Sequence, residues 1–369
     1  MKWRLIYEDE PEINKLLAAP RKKRLFYLFW YIFYFSLGFI NESSFTKHYI
    51  WYMSATKNRT TGNRNMDIGI IGLGKMGTGM AERLSKAGHR VVTFDENEAA
   101  IRVASAHGAE GARDIADMIE KLPLPGRVVW VMVPAGDPTE QVLDTLLRGL
   151  HVGDMVVDGG NSHYKDSMRR AVLLEGKGLH FVDVGTSGGV WGAAKGYSMM
   201  VGGKPEAVER LRPILETLAP APDRGWGRVG PAGTGHFVKM VHNGIEYGLM
   251  QAYAEGFGLL RRKSEFDLDL AQIADIWCHG SVVRSWLLDL ITRVLEDNPM
   301  LSGIAPFVPD SGEGRWTVQE AMDQDLSTPV IALSLMQRLR SREEEGFSDK
   351  LLAAMRNRFG GHTVKNIPE

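Results

Sequence analysis

The stretch that most restricts this chain is Asp67-Ile-Gly-Ile-Ile71, which runs into Gly72-Leu-Gly74-Lys-Met-Gly77 and then into a helix-forming segment, Met80 to Ala87, closed by Gly88. With Val91-Val-Thr-Phe94 and Asp95 behind it, this order predicts strand, glycine turn, helix and strand, one βαβ unit. Gly72 would make the tight turn, Gly74 would let backbone approach a pyrophosphate, and Gly77 would let helix and strand pack closely. The amino end of the helix would face the phosphate charge. A glycine pattern of this kind is weak evidence by itself. Here it leaves a strand, opens a helix and meets an acid 23 residues after Gly72, and that context predicts a bound dinucleotide. A Walker A loop is excluded, because no Gly-Lys-Ser/Thr follows.

Charge selects between the nicotinamide cofactors. Asp95 can accept a hydrogen bond from the adenosine ribose, and Glu96 and Glu98 add two carboxylates beside it. A 2'-phosphate would face three negative groups, with Arg102 the nearest arginine in sequence, so NAD is expected over NADP. Val128-Val-Trp-Val-Met-Val133, ending in Pro134-Ala-Gly, and Met155-Val-Val-Asp158, ending in Gly159-Gly160-Asn161-Ser162, read as further buried strands. Phe181 to Ser187, ending in Gly188-Gly189, is a third. The predicted fold is an α/β Rossmann-type doubly wound sheet followed by an all-α domain, and ligands of such sheets bind beyond the carboxyl ends of the strands. The cofactor is therefore expected against Gly72, Leu73, Gly74, Lys75, Met76, Gly77 and Asp95, and against Val133, Pro134, Ala135 and Asn161.

A second constraint lies at residues 233 to 262, a proline-free stretch rich in alanine, leucine and methionine that reads as one long helix. Lys239, His242, Asn243 and Glu246 fall at i, i+3, i+4 and i+7 and so share a face, while Val238, Val241, Ile245 and Leu249 lie on another. One helix would present an amine, an imidazole, an amide and a carboxylate to one point; the plain alternative is a solvated face with an incidental Lys/Glu pair. Periodicity in Leu268 to Ile276, Val282 to Leu295 and Val318 to Leu339 supplies further helices, with Trp277, Trp286 and Trp316 expected to pack, not bind.

The boundaries expected are an extension over 1–65, a dinucleotide domain over 66–232, and a helical substrate and dimerisation domain over 233–369. The extension holds 15 of the aromatic residues and 2 of the 41 glycines, with Arg21-Lys22-Lys23-Arg24 before a 16-residue apolar run, Leu25 to Ile40. A membrane span needs about 20 residues, and no clear cleavage site is present. Met66 stands directly before the first strand, so the extension reads first as translated leader upstream of the true start, with a membrane anchor or a signal peptide as alternatives. A net charge of -1 gives no electrostatic reason to expect nucleic acid. The single cysteine, Cys278, and histidines without ligand spacing imply no metal. A reducing, cytoplasmic setting suits this composition.

Asp158-Gly-Gly-Asn-Ser162 with Tyr164-Lys-Asp166 and Arg169-Arg170, then Ser187-Gly-Gly189, then His236-Phe-Val-Lys-Met-Val-His-Asn-Gly-Ile-Glu-Tyr247, closely resembles 6-phosphogluconate dehydrogenase. The resemblance continues through Gly314-Arg-Trp-Thr317, Arg338 and Arg356-Asn-Arg-Phe-Gly-Gly-His362, and so covers nearly everything from Met66 onward. It implies oxidative decarboxylation of 6-phosphogluconate to ribulose 5-phosphate in the pentose phosphate pathway and in gluconate utilisation. It also implies that Lys239 is the general base and later acid, and that Glu246 protonates C1. Asn161, Ser187, Gly188, Gly189, His242, Asn243 and Tyr247 match positions that hold the sugar acid. Arg338 matches a phosphate-binding arginine, and Arg356 with His362 a tail pair reaching into a neighbouring subunit's site, within a homodimer or a dimer of dimers. To act as base, Lys239 must be neutral well below its ordinary pKa of about 10.4, which burial or a nearby cation can achieve. Glu246 must hold a proton as C1 gains charge, which calls for an apolar setting.

Three departures from the family's pattern stand out. Asp310-Ser311 runs into Gly312 where longer members have a glutamine-lysine step, so the phosphate lysine is missing and Arg315 or another group takes its place. Only about 137 residues follow residue 232, which fits a short form lacking the second helical repeat. Asp95-Glu96-Asn97 stands where NADP-using relatives carry Asn-Arg-Thr. Two rival readings remain. One is a β-hydroxyacid dehydrogenase of the 3-hydroxyisobutyrate type, which shares fold and lysine. The other is a catalytically silent NAD-sensing module.

Overall fold

A computed structural model describes residues 65–360 and 363–365. The expectations for the extension and for His362 fall outside the described residues. From Asn65 onward the described chain forms one compact unit.

Eight strands form one sheet in the order β3-β2-β1-β4-β5-β6-β7-β8. They are β1 (Asp67–Ile71), β2 (Arg90–Phe94), β3 (Glu110–Gly111), β4 (Val128–Val131), β5 (Met155–Asp158), β6 (His180–Ser187), β7 (Ser198–Gly203) and β8 (Trp226–Gly230). Every neighbouring pair is parallel except β6 with β7. Between the strands run α1 (Lys75–Lys86), α2 (Glu98–Ala106), α3 (Ile115–Lys121), α4 (Asp137–Gly149), α5 (Tyr164–Glu175), the short α6 (Gly192–Lys195) and α7 (Pro205–Leu218). The strands read as unbroken apolar runs because both faces are covered. Val128 and Trp130 enter the core on one side with Ile68, Ile70 and Met155, while Val129 and Val131 enter the other with Ile71, Val156 and Phe181. The doubly wound reading holds. The expected strand through Val133 stops at Val131, however, with the Met132 amide still donating to the Ile71 carbonyl at 2.7 Å. The antiparallel β7 and the edge strand β8 carry no clean alternation and went unread.

The strand order reverses between β1 and β4, which is where such a sheet opens a crevice. Gly72 turns the chain there with φ +94°, and a Cβ on it would stand 2.8 Å from the Met132 carbonyl. Only glycine fits both demands.

The long helix is α8 (Thr234–Arg262), with Gly233 as its N-cap. Gly233 cannot cap with a side chain; Asp183 of β6 does so from the neighbouring strand, accepting the amides of Gly233 at 2.7 Å and His236 at 2.9 Å. A Cβ on Gly185 would collide with the Gly235 carbonyl and with Cβ of Lys239, so the bare glycine lets α8 lie directly on the end of β6. The far end of α8 enters a separate helical core, in which Phe257 packs with Leu270, Ala274, Cys278, Leu288 and Leu295. These belong to α9 (Leu270–Cys278) and α10 (Trp286–Asp297). The periodic stretch Val318 to Leu339 divides into α11 (Glu313–Asp323) and α12 (Pro329–Arg340). Asp325, at φ +54°, and Pro329 in the first turn of α12 break it. The last helix is α13 (Phe347–Gly360).

Candidate active site

A cleft of about 1870 Å³ opens at the reversal point between the glycine turn, the ends of β2, β4, β5 and β6, one side of α8, the start of α10 and the first residue of α11. This volume exceeds the several hundred Å³ typical of a single small ligand, and it suits a dinucleotide plus a second molecule.

Gly72, Gly74, Lys75, Met76, Gly77, Asp95, Val133, Pro134 and Asn161 line the cleft as expected for a cofactor wall. The start of α1 has no side-chain cap, and a Cβ on Gly74 would meet nothing within 4 Å, so the turn presents open backbone amides to the cleft. This cradle fits the pyrophosphate of a dinucleotide. Asp95 does more than the sequence suggested: it accepts the Leu73 amide at 2.6 Å and the Asn97 amide at 2.8 Å, locking the end of β2 to the glycine turn. Leu73 itself lies in the core, 4 % exposed, and neither it nor Ala135 lines the cleft. Among the described residues the lysines and arginines on the cleft wall are Lys75 and Lys239 alone, with no arginine to meet a 2'-phosphate, while Glu96 stands exposed on the same wall. NAD is the cofactor this wall accommodates.

Asn161 is carried on the turn after β5, and that turn is held by a buried ion pair. Arg170, fully buried, donates to Asp158 at 2.8 Å and to Ser162 at 2.9 Å, and reaches Glu140 at 2.7 Å. Ser187, Gly188 and Gly189 line the cleft opposite.

Lys239, His242, Asn243 and Glu246 all reach the cleft from α8. The Lys239 amine donates to Asn243 Oδ1 at 2.6 Å, and His242 Nδ1 lies 3.0 Å from the same oxygen, which makes Nδ1 the protonated ring nitrogen. Burial holds the Lys239 pKa below its ordinary value, against the opposing charges of Glu246 and Glu313. Glu246 lies 3.8 Å from His242 Nδ1, with its side chain 39 % exposed, so the apolar setting expected for it is not supplied by this chain alone. The apolar residues Val238, Val241, Ile245 and Leu249 also line the cleft; the face of α8 that enters the protein is instead Gly235, His236, Met240, Gly244, Tyr247 and Gly248. Tyr247 is therefore buried behind the cleft wall, its ring over Gly314 and its hydroxyl without a partner.

The expected phosphate groups are not gathered in this chain's cleft. The Arg338 guanidinium stacks 3.5 Å above the Tyr247 ring and donates to the Pro309 carbonyl at 3.0 Å. Arg315 and Arg342 bracket Asp310, which lowers the pKa of that carboxyl, so Arg315 is engaged away from the cleft wall. Arg356 stands exposed on α13, outside the cleft lining. Among the tryptophans, Trp277 packs edge-on to Phe257 at 5.6 Å and Trp316 edge-on to His163 at 5.0 Å, but Trp286 corrects the expectation: 41 % exposed, it lines the cleft.

Sequence reasoning missed Glu313. It is 3 % exposed and reaches the cleft, where Oε1 accepts from the side-chain amides of Asn161 and, at 2.9 Å, Asn243. The signal available was an acid set between Gly312 and Gly314 just ahead of the Arg-Trp-Thr motif. Among the described residues, no group of three or more His, Cys, Asp or Glu is placed to hold a metal ion, and no helix is long and apolar enough to cross a membrane.

Residues 67–227 match the family model of the NAD binding domain of 6-phosphogluconate dehydrogenase, and residues 252–369 match that of the 6-phosphogluconate dehydrogenase C-terminal domain. The NAD(+)-dependent, decarboxylating 6-phosphogluconate dehydrogenase of Haloferax volcanii is 45 % identical over 300 residues, 81 % of this chain and 98 % of that one. The solved 6-phosphogluconate dehydrogenase of Plasmodium falciparum superposes with a TM-score of 0.69 at 27 % identity, over 82 % of this chain and 66 % of its own length. The 3-hydroxyisobutyrate dehydrogenase of Mycobacterium tuberculosis gives 0.60 at 24 % identity, over 73 % and 91 %, a likeness of fold alone.

Proposed function

This chain belongs to the 6-phosphogluconate dehydrogenase family, and from that premise we propose that it oxidises 6-phosphogluconate with NAD, releasing carbon dioxide and leaving ribulose 5-phosphate. The observation that carries the reading is the half-buried Lys239 amine, set in one cleft with the open glycine turn and the Asn161–Glu313–Asn243 cluster.

NAD, when bound, supplies the acceptor for the hydride leaving C3. Lys239 takes the proton of the C3 hydroxyl, which its burial equips it to do by favouring the neutral amine. The resulting ammonium then polarises the 3-keto oxygen and steadies the charge that develops as carbon dioxide departs. Glu246, two turns further along the same face, returns a proton to C1; substrate and cofactor closing over its half-exposed carboxyl provide the apolar surroundings that donation needs. His242, Asn243 and Asn161 orient the hydroxyls, and Ser187 with the Gly188-Gly189 backbone cradles the carboxylate. No metal step is required, since the 3-keto group itself takes up the electrons freed by decarboxylation.

The working unit is a homodimer. Support comes from apolar side chains left at the surface of the last two helices: Val330, Leu333 and Met336 on α12, and Phe347, Leu352 and Met355 on α13, each more than half exposed. In that assembly Arg356 and His362 of one chain supply phosphate-binding groups to the other, whose own Arg338 is stacked on Tyr247 outside the cleft lining. Residues 233–369 are then the part that binds substrate and pairs the subunits, and residues 66–232 the part that binds NAD.

The deciding assay follows NADH and NADPH formation by the purified full chain with 6-phosphogluconate, gluconate and 3-hydroxyisobutyrate. NADH with matching carbon dioxide from 6-phosphogluconate alone is expected. Turnover confined to 3-hydroxyisobutyrate, or none with any acid, would overturn the reading.

A further inference from the structure

Glu313 is the first residue of α11, where an acid is favourable to the helix dipole, and that could account for its identity. It does not account for its burial. A carboxylate taken out of water needs a cation or several donors, and among the described residues no cation pairs with Glu313; its Oε1 takes two amide N–H groups, and its Oε2 is buried without a partner. Bare Gly314 beside it admits the Tyr247 ring.

The two amides show what this arrangement does. A side-chain amide whose NH2 end is pinned must turn its carbonyl the other way. Glu313 pins the NH2 of Asn243, and the Asn243 oxygen accordingly faces the Lys239 amine at 2.6 Å and His242 Nδ1 at 3.0 Å. It pins the NH2 of Asn161 likewise, leaving that carbonyl as an acceptor on the cleft wall. A residue at 313 with no side-chain oxygen in reach would leave both amides free to flip and to turn a donor toward Lys239.

Resting on the reading of the site as a 6-phosphogluconate dehydrogenase, we propose that Glu313 is a positioning residue for the reaction: it fixes the amide orientation of Asn161 and Asn243, and through Asn243 the place of the Lys239 amine. Its unpartnered Oε2 accepts a hydroxyl of the sugar acid when that substrate is bound.

Charge provides a readout that a merely structural residue would not move. α8 itself carries Glu246 and His242, and the elements packed against it carry, among their ionisable groups, Glu313 on α11, Asp183 on β6, Arg228 on β8, Tyr164 and Arg170 on α5, and Arg338 on α12. Of these, Glu246 and Glu313 are the charges that raise the Lys239 pKa. Removing the charge of Glu313 therefore lowers that pKa, and the acid limb of log(kcat/KM), where Lys239 must lose its proton, moves to lower pH.

The test compares Glu313→Gln and Glu313→Asp with the wild type in the full chain, using 6-phosphogluconate and NAD, with NAD binding followed by fluorescence to confirm an intact fold. Glu313→Gln keeps an oxygen for the two amides but loses the charge and sets an NH2 where Oε2 would accept the sugar hydroxyl, so it is expected to raise KM for 6-phosphogluconate and shift the acid limb to lower pH. Glu313→Asp keeps the charge but is too short to hold both amides, so its kcat should fall while the limb stays at the wild-type pH; it carries the test alone if the glutamine variant fails to fold. Wild-type kcat in the aspartate variant, or wild-type kcat/KM with an unmoved limb in the glutamine variant, would overturn the proposal. An inactive wild type would overturn the functional reading instead, so the two failures are told apart.

Discussion

At the scale of single residues, the proposed chemistry needs one amine deprotonated although the charges of Glu246 and Glu313 oppose this. Replacing it tests this directly: Lys239→Met should reduce turnover by about 10³-fold or more, the range of a lost general base, while leaving the NAD dissociation constant within about two-fold. A variant with near-normal rate removes Lys239 from the mechanism. The cofactor wall makes a second prediction. Glu96 is exposed, whereas Asp95 holds the Leu73 amide, so Glu96→Arg is the cleaner change. It should raise kcat/KM with NADP by about ten-fold, one favourable charge contact in place of an unfavourable one; unchanged NADP use would show that the ribose phosphate lies elsewhere. Lys239, Glu246, Asp95 and the glycine turn were legible because each sits at a fixed offset from a periodic element. Glu313 was not, since its meaning comes from Asn161 and Asn243, which lie 152 and 70 residues away.

At the scale of elements, α8 is held where it is by β6. Asp183 supplies the cap that Gly233 cannot, and Gly185 removes the side chain that would hold helix and sheet apart. Asp183→Ala leaves two buried amides without acceptors and should cost about 2–4 kcal/mol, read as a lower urea midpoint, with kcat falling at temperatures where the fold persists. A loss under about 0.5 kcal/mol would mean that water replaces the cap. The helix itself was readable from its lack of proline and its 3.6-residue spacing, and so was the doubly wound sheet. The docking of one on the other was not, because a glycine in a strand announces a turn as readily as a close approach. The same limit explains α11 and α12, which share an apolar period across a break set by the backbone of Asp325 and by Pro329.

At the scale of the whole molecule, a shared site makes a numerical prediction. If each pocket combines the α8 of one subunit with the tail of the other, Lys239→Met and the double variant Arg356→Ala/His362→Ala are each inactive alone but complement on co-expression. Random pairing makes half the dimers mixed, each with one good pocket, so about a quarter of wild-type activity should return. No recovery would place the tail in its own subunit's site or outside any site. The burial of α8 has a consequence for how molecules enter. Its first turns are seated on the sheet and its last turns in the helical core, so a single rod of roughly 43 Å bridges both halves of the fold. Jaws that share one spine part only by bending it against its own hydrogen bonds, so the cleft is expected to hold its gauge and to fill from its open rim.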